Sequence, residues 1–381
     1  MNVPSVKWIR RLLVSVVLLL AGLALVLRFR YGGGEKFPDR STRDQQGNAS
    51  LELIATLSEP PGNIAVSATG RIFITIHPES KPTGPKVVEI VRGEMVAFPD
   101  EKSQQLFHAP QGIRIDRQNR LWTIDHADNG LGQPRLLAFS VTDGSLMHRY
   151  DFPRTIAPRL SYLQDLVISP DGRYVFIADV NFFGKSPALV VYDTDTKTAR
   201  RLLEKHASLS PQNFIIQAYN GPMARLGGLI AMKPGADSIT IDANGEWIYF
   251  GAMVHDSLFR IRTADLVNTS LDDATLGTRI ENYAPKILSD GISIDAKGNI
   301  YLTDVEHNGV AVIDTERKLK TYVRDARIRW ADGLSFGPDG WLYLADSAIP
   351  DIVLESRSHI RSRAPYHLFR FRPLAVAVPG Q

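Results

Sequence analysis

The sequence predicts an all-β fold, a six-bladed β-propeller, preceded by an N-terminal apolar helix. Three observations lead there. A two-strand unit with a tight Gly turn recurs six times, at intervals of 42 to 72 residues. Two further alternating segments usually follow each copy, which makes four antiparallel strands per repeat. An orphan strand at the start of the repeats matches a missing strand at their end. Length alone would suggest two or three domains at roughly 150 residues each, but the repeats gather the chain into one ring.

Taken in order, the first element is the apolar run Leu12 to Leu27, broken only by Ser15 and Gly22. Lys7, Arg10 and Arg11 precede it, and Arg28 and Arg30 follow. Sixteen residues fall short of the ~20 of a typical spanning helix, and flanking Trp8, Phe29 and Tyr31 extend it into the interfaces. Residues 1–31 therefore read as a signal anchor, with a cleaved signal peptide as the alternative. The basic flank before the run places the N-terminus in the cytoplasm and the body outside it, periplasmic or extracellular, or secreted if cleaved. Residues 32–50 read as a polar linker opened by Gly32-Gly33-Gly34, with an Asn48-Ala49-Ser50 sequon at its end.

The propeller is expected over residues 51–375, with 376–381 as a tail. Its copies begin at Asn63, Gln111, Asp165, Asp237, Asp290 and Asp332, and their turns include Pro170-Asp171-Gly172 and Ala243-Asn244-Gly245. Alternation of apolar and polar residues around such turns is hairpin chemistry. The last copy has a third strand, His367 to Phe371, but no fourth. Leu51 to Leu57 is expected to complete it and so remove an exposed sheet edge. The long interval between Asp165 and Asp237 holds an insertion, roughly Glu204 to Pro234, read as a loop over one face.

Composition narrows function by exclusion. Hydrophobic residues at 44% and charged residues at 22% fit a globular protein. There is no cysteine, hence no disulfide, Cys–zinc site, iron–sulfur cluster or Cys nucleophile. Five of the 44 basic residues and none of the 41 acids lie in residues 1–30, so the body carries 39 basic against 41 acidic residues. That balance gives no reason to expect a nucleic-acid partner. The chain has no Gly-rich phosphate loop, His-Glu-x-x-His or Gly-x-Ser-x-Gly motif, which removes support for nucleotide binding, zincin and serine-hydrolase chemistry.

Candidate site residues come from aligning the copies. Asn63, Gln111, Asp165, Asp237, Asp290 and Asp332 would line the central channel, with Gln164 beside them. Asp-Gly at such a position is also common turn chemistry. Four carboxylates around one axis repel unless protonated or paired with a cation, and calcium, an oxygen-ligand ion, is the expected cation. A second ring fourteen residues on (His77, Asp125, Asp179, Gly251, Asp304, Asp346) is expected to cap loops. His126, His255, Glu306 and His307 beside it are candidates for acid–base work.

Leu163-Gln164-Asp165-Leu166-Val167, Tyr174 to Asp179 and Leu189 to Asp193 resemble the major royal jelly protein and Yellow family. Asp237-Ser238-Ile239, Ser289-Asp290-Gly291 and the terminal Pro365 to Phe371 agree with it. The resemblance implies a six-bladed, mostly secreted propeller that binds a small molecule, with dopachrome isomerisation among the family's activities. A second resemblance, to SMP-30/gluconolactonase propellers, implies a channel calcium or zinc held by Asp165 and Asp290. Asn63 and Gln111 depart from that pattern, where those enzymes carry Glu and Asn-Asp-Gly. The expected function is an exported, membrane-tethered propeller binding or isomerising a small aromatic or polar molecule at the channel mouth. The alternatives are a metal-dependent lactonase or esterase and a non-catalytic binding scaffold.

Overall fold

The computed structural model describes residues 6–43 and 51–380; the sequon at Asn48 lies outside them. Six four-stranded antiparallel sheets form the body. Their inner strands run Pro61–Val66, Pro110–Ile115, Leu163–Ile168, Ala236–Ile241, Ile292–Ile294 and Ala331–Phe336. Each pairs outward, in sequence order, with the strands that follow it. The exception is the sixth blade, whose outer strand is Glu52–Leu57 paired antiparallel to Tyr366–Phe371, with Glu52 opposite Arg370 and Leu57 opposite Tyr366. The orphan strand thus closes the ring as the sequence predicts.

Aspartates build the hairpin turns. Asp116 Oδ1 accepts hydrogen bonds from the Gln118 and Arg120 amides at 3.0 and 2.9 Å, and Asp295 Oδ1 accepts from Lys297 and Asn299 at 2.9 and 3.0 Å. These side chains satisfy amides the turn would otherwise strand, which pins the register of the two innermost strands. Between blades the core is apolar: Trp122, Ile124, Leu136 and Phe152 of the second blade pack on Leu166, Val175 and Tyr192 of the third.

The end of the ring that bears the inner-strand starts is the mouth. The insertion lies across it over blades three to six, beginning with the Lys205 amide, which donates to the Pro187 carbonyl of blade three at 2.8 Å. Ile216 and Met223 pack with Met253, Leu288, Trp330 and Ile352. The Gln217 amide donates to Glu306 Oε1 at 2.7 Å, and Tyr219 Oη to Asp351 Oδ2 at 2.6 Å. The segment before the propeller joins this cover. Glu35–Lys36 pairs parallel with Phe214–Ile215, Arg40 donates to the carbonyls of Asp256 and Lys286, and Thr42 exchanges hydrogen bonds with Thr321. The described part of the stretch read as a linker is therefore docked, because its polar groups find partners on the blade ends. At the opposite end the tail crosses the channel, with Gly380 bonded to Phe336 and Ile115 and Val376 to Ala296. The helix Val6–Tyr31 meets the body at its last turn, where Arg28 donates to Gly228 and Tyr31 to Phe183; its span Arg10–Tyr31, with mean hydropathy 2.7 over its best 18 residues, is long and apolar enough to cross a membrane.

Candidate functional site

The six ring residues converge on the channel, each at most 4% exposed. A register break explains how. In five blades the inner strand slips against its partner at this point, between Pro61 and Ile64, Pro110 and Ile113, Leu163 and Leu166, Ala236 and Ser238, and Ala331 and Leu334. A bulge frees the residue from the ladder and re-aims it, here inward. The glycine that follows several ring residues is not there for a turn. A Cβ at Gly112 would lie 2.4 Å from the Gln164 carbonyl, one at Gly291 2.1 Å from the Asp332 carbonyl, and one at Gly333 2.3 Å from Asn63 Oδ1. Neighbouring blades approach too closely for any side chain.

The repulsion expected among four acids is resolved by an arginine that the sequence reading missed. Arg114, three residues after Gln111, reaches into the channel. It donates to Asp165 Oδ2 at 3.2 Å and to the Leu334 carbonyl at 2.9 Å. Asn63 Nδ2 lies 3.4 Å from Asp165 Oδ1. Asp290 accepts from Trp330 Nε1 at 2.7 Å and Gln164 Nε2 at 3.2 Å. Burial pushes Asp290 up to about 7 and drives Asp237 and Asp332 well above the ordinary carboxylate range, with the neighbouring ring acids adding to it. Those carboxyls hold their protons where Asp165 has Arg114. Asp237 Oδ2 and Asp332 Oδ2 have no hydrogen-bond partner among the described residues.

The raised Asp290 makes stability pH-dependent. Its unfolded value is 3.8 and its folded value about 7. Between those limits the folded state keeps a proton that the unfolded state has released. The stability this group contributes is present at low pH and is lost as pH rises through the window, by about 1.4 kcal/mol per unit at the steepest. Asp290→Asn removes the titration. Urea denaturation at pH 5 and pH 8 should show the variant gaining on the wild type as pH rises; a constant difference would refute the assignment.

The second ring caps loops as expected. Asp125 Oδ1 accepts from the Ala109 and Ala127 amides at 2.8 and 2.9 Å, Asp179 Oδ1 from Tyr162 at 2.7 Å, and Asp346 Oδ1 from Arg329 and Trp330 at 2.9 and 2.6 Å. Gly251 is the exception, and its place is served differently. The buried Lys286 runs past it, 3.3 Å from where a Cβ would be, and its Nζ donates to the carbonyls of Met253 and Ile287.

The four acid–base candidates separate. His126 lies at the open half of the mouth, over blades one and two. Its ring stacks on Tyr162 at 3.9 Å, its Nδ1 accepts from the Asn129 amide at 3.0 Å, and its Nε2 has no partner among the described residues. His77 has the same arrangement: Nδ1 accepts from the Glu79 amide at 3.2 Å, and Nε2 lies 3.8 Å from Asp332 Oδ2. An acceptor Nδ1 fixes the proton of a neutral imidazole on Nε2. Burial holds both rings neutral down to about 3, raises Glu79, and keeps the Tyr162 phenol protonated. His255, Glu306 and His307 instead sit toward the covered half. His255 Nδ1 accepts from Ser257, Glu306 is tied to the insertion, and His307 Nδ1 lies 3.0 Å from Asp304.

At the mouth ends of blades one and two opens a cavity of about 210 Å³, its wall apolar at Ile76, Pro78, Pro82, Ala109 and Pro110 and polar at Lys81, Lys86, His108 and Asp128. Asp128 and His108 act electrostatically on His126, and Asp128 on Glu79. His77 and His126 do not line the cavity but lie behind its wall: His77 stands between the wall residues Ile76 and Pro78, and the His126 amide donates to the carbonyl of the wall residue Ala109 at 3.2 Å. His77, Glu79 and Tyr162 were missed as site residues. His77 did carry a signal, since it stands where four other copies have Asp. Among the described residues no group of three or more His, Cys, Asp or Glu side chains is placed to hold a metal ion. Asp165 and Asp290, the expected calcium ligands, are each turned to protein donors.

The family profile described as major royal jelly protein matches residues 109–332, more than half of the chain. No curated protein sequence matches. Among solved structures, a gluconolactonase from Xanthomonas campestris superposes with a TM-score of 0.53 at 14% identity, covering 90% of this chain and 97% of its own. A regucalcin from Agrobacterium tumefaciens, described as a calcium-binding protein, gives 0.51 at 14% identity, covering 86% and 97%. A luciferin-regenerating enzyme gives 0.52 at 12% identity, covering 87% and 97%. At these identities the likeness concerns the fold.

Proposed function

The chain belongs to the major royal jelly protein family, and from that premise we propose that it is an exported, membrane-tethered propeller that binds a small molecule at the open half of its mouth and isomerises it by proton transfer. The observation that carries this reading is the pair of buried neutral imidazoles, His77 and His126, directly behind the wall of the cavity. A tautomerisation takes a proton from one atom of the ligand and returns one to another, with no net change in composition. Nε2–H of His126 and the Tyr162 phenol supply hydrogen-bond donors that orient the ligand, and Glu79 in its carboxylate form takes the proton from one ligand atom and returns it to the other. Lys81, Lys86 and His108 in an otherwise mostly apolar cavity wall suit a ligand that combines an apolar body with hydroxyl or carboxylate groups.

The test uses dopachrome as probe with the full chain. Its colour should decay faster than in buffer, and His126→Gln should slow that decay by roughly 10²-fold or more while thermal stability is kept. Decay at the buffer rate with the wild type would remove the isomerase reading.

A second reading, a divalent-metal-dependent lactonase, is favoured by one detail: the unpartnered Oδ2 atoms of Asp237 and Asp332. Arg114 already supplies the charge that would pair with Asp165. Titration of calcium into the metal-stripped full chain decides. A thermal upshift abolished by Asp237→Asn would favour this reading, and no shift would end it.

A further inference from the structure

We propose that the mouth face of the propeller lies against the lipid bilayer, with Phe29, Tyr31, Phe183 and Leu226 seated in the interface. The inference rests on the reading of the N-terminal helix as a membrane anchor and adds an orientation to it.

The last turn of that helix is fixed to two loops of the body. Arg28 donates to the Gly228 carbonyl at 2.8 Å, and Lys233 Nζ to the Gly32 carbonyl at 3.3 Å. Tyr31 Oη donates to the Phe183 carbonyl at 2.8 Å, with the Tyr31 and Phe183 ring centroids 6.4 Å apart. The apolar run ends at Leu27, and arginines with aromatic neighbours mark a membrane–water boundary. That boundary therefore falls at the turn holding Arg28 to Tyr31. Whatever touches this turn is at the boundary too.

Both loops present apolar side chains there. Leu226 is 66% exposed at a hairpin tip whose three successive residues, Leu226, Gly227 and Gly228, have φ of 52, 64 and 85°. A leucine in the left-handed region is disfavoured, and this one gains no burial within the protein in return. Phe183 is 42% exposed and Phe29 95%. Arg30, Lys185 and Lys233 surround them, as expected for a surface that meets anionic headgroups. The tip and the Phe182-Phe183 loop belong to the same end of the ring as the mouth. The open half over blades one and two then looks onto the bilayer surface, and ligand reaches His126 from that side.

The chain has no cysteine, so single cysteines can carry an environment-sensitive fluorophore. Leu226→Cys, Leu18→Cys within the helix and Lys297→Cys at a far-end turn are reconstituted separately, as full chains, in nanodiscs containing phosphatidylglycerol and nitroxide-labelled lipid. The expected result is a blue shift and quenching at positions 226 and 18, and neither at 297. Quenching at 18 with position 226 matching 297 would overturn the proposal and leave the anchor standing. No quenching at 18 would remove the anchor, and the proposal with it.

Discussion

Gly291→Ala should prevent the ring from closing. The added methyl would lie 2.1 Å from the Asp332 carbonyl oxygen and 3.2 Å from its carbon. Both are backbone atoms of the neighbouring inner strand, so no side chain can rotate away. Relief requires blades five and six to part by about an ångström at the channel, where Gly112 and Gly333 mark equally close approaches between other blades. Overpacking in a core typically costs about 1–3 kcal/mol and more when backbone must move, and this position belongs to the upper end. The measurement is soluble yield and urea midpoint of the full chain against Gly84→Ala, where a methyl would meet nothing within 4 Å. Equal behaviour of the two variants would show that the inner strands are farther apart than described.

Arg114→Met should cost at least as much, for an electrostatic reason. The Arg114 and Asp165 side chains are each 4% exposed. Removing one member of a buried pair typically costs about 3–5 kcal/mol, because the other charge stays buried without compensation. Burial already pushes Asp165 up while Arg114 pulls it down. Without the arginine, Asp165 will take up a proton more readily, so the loss should be large at pH 8 and smaller at pH 5. Chemical denaturation at both pH values reads this directly. The double variant Arg114→Met, Asp165→Leu should recover part of the loss. A small, pH-independent loss would mean that the pair does not govern the channel's charge.

Much of the fold was legible because each blade carries its own local signals. The Asp-and-Gly turns, the strand alternation and the orphan Leu51 to Leu57 strand are properties of adjacent residues, and all six blades could be counted from them. The ring positions were legible for the same reason: they sit at a fixed offset from the turn. What was not legible depends on neighbours in space. Arg114 lies on a strand as an ordinary alternating residue, and nothing nearby in sequence says that it meets Asp165 of the next blade. Asp-Gly reads as a turn, although Gly291 and Gly333 are glycines because another blade's backbone is beside them. His126, His255, Glu306 and His307 occupy similar places in their repeats. Only the insertion, whose packing no local pattern reveals, separates the open half of the mouth from the covered half.

The strand that closes the ring has a consequence for timing. Glu52 and Arg370 pair across 318 residues of chain, so a strand made near the beginning waits for one made near the end. At synthesis rates of about 5–20 residues per second the wait is on the order of tens of seconds. Through that interval the first-made strand has no partner and the outer edge of the unfinished assembly stays open to other chains. The closing event itself joins distant segments and carries a high loop-closure cost. Biogenesis of this protein is therefore most vulnerable just before the strand Tyr366–Phe371 is made. A chain truncated ahead of Tyr366 would be left as an open, association-prone arc.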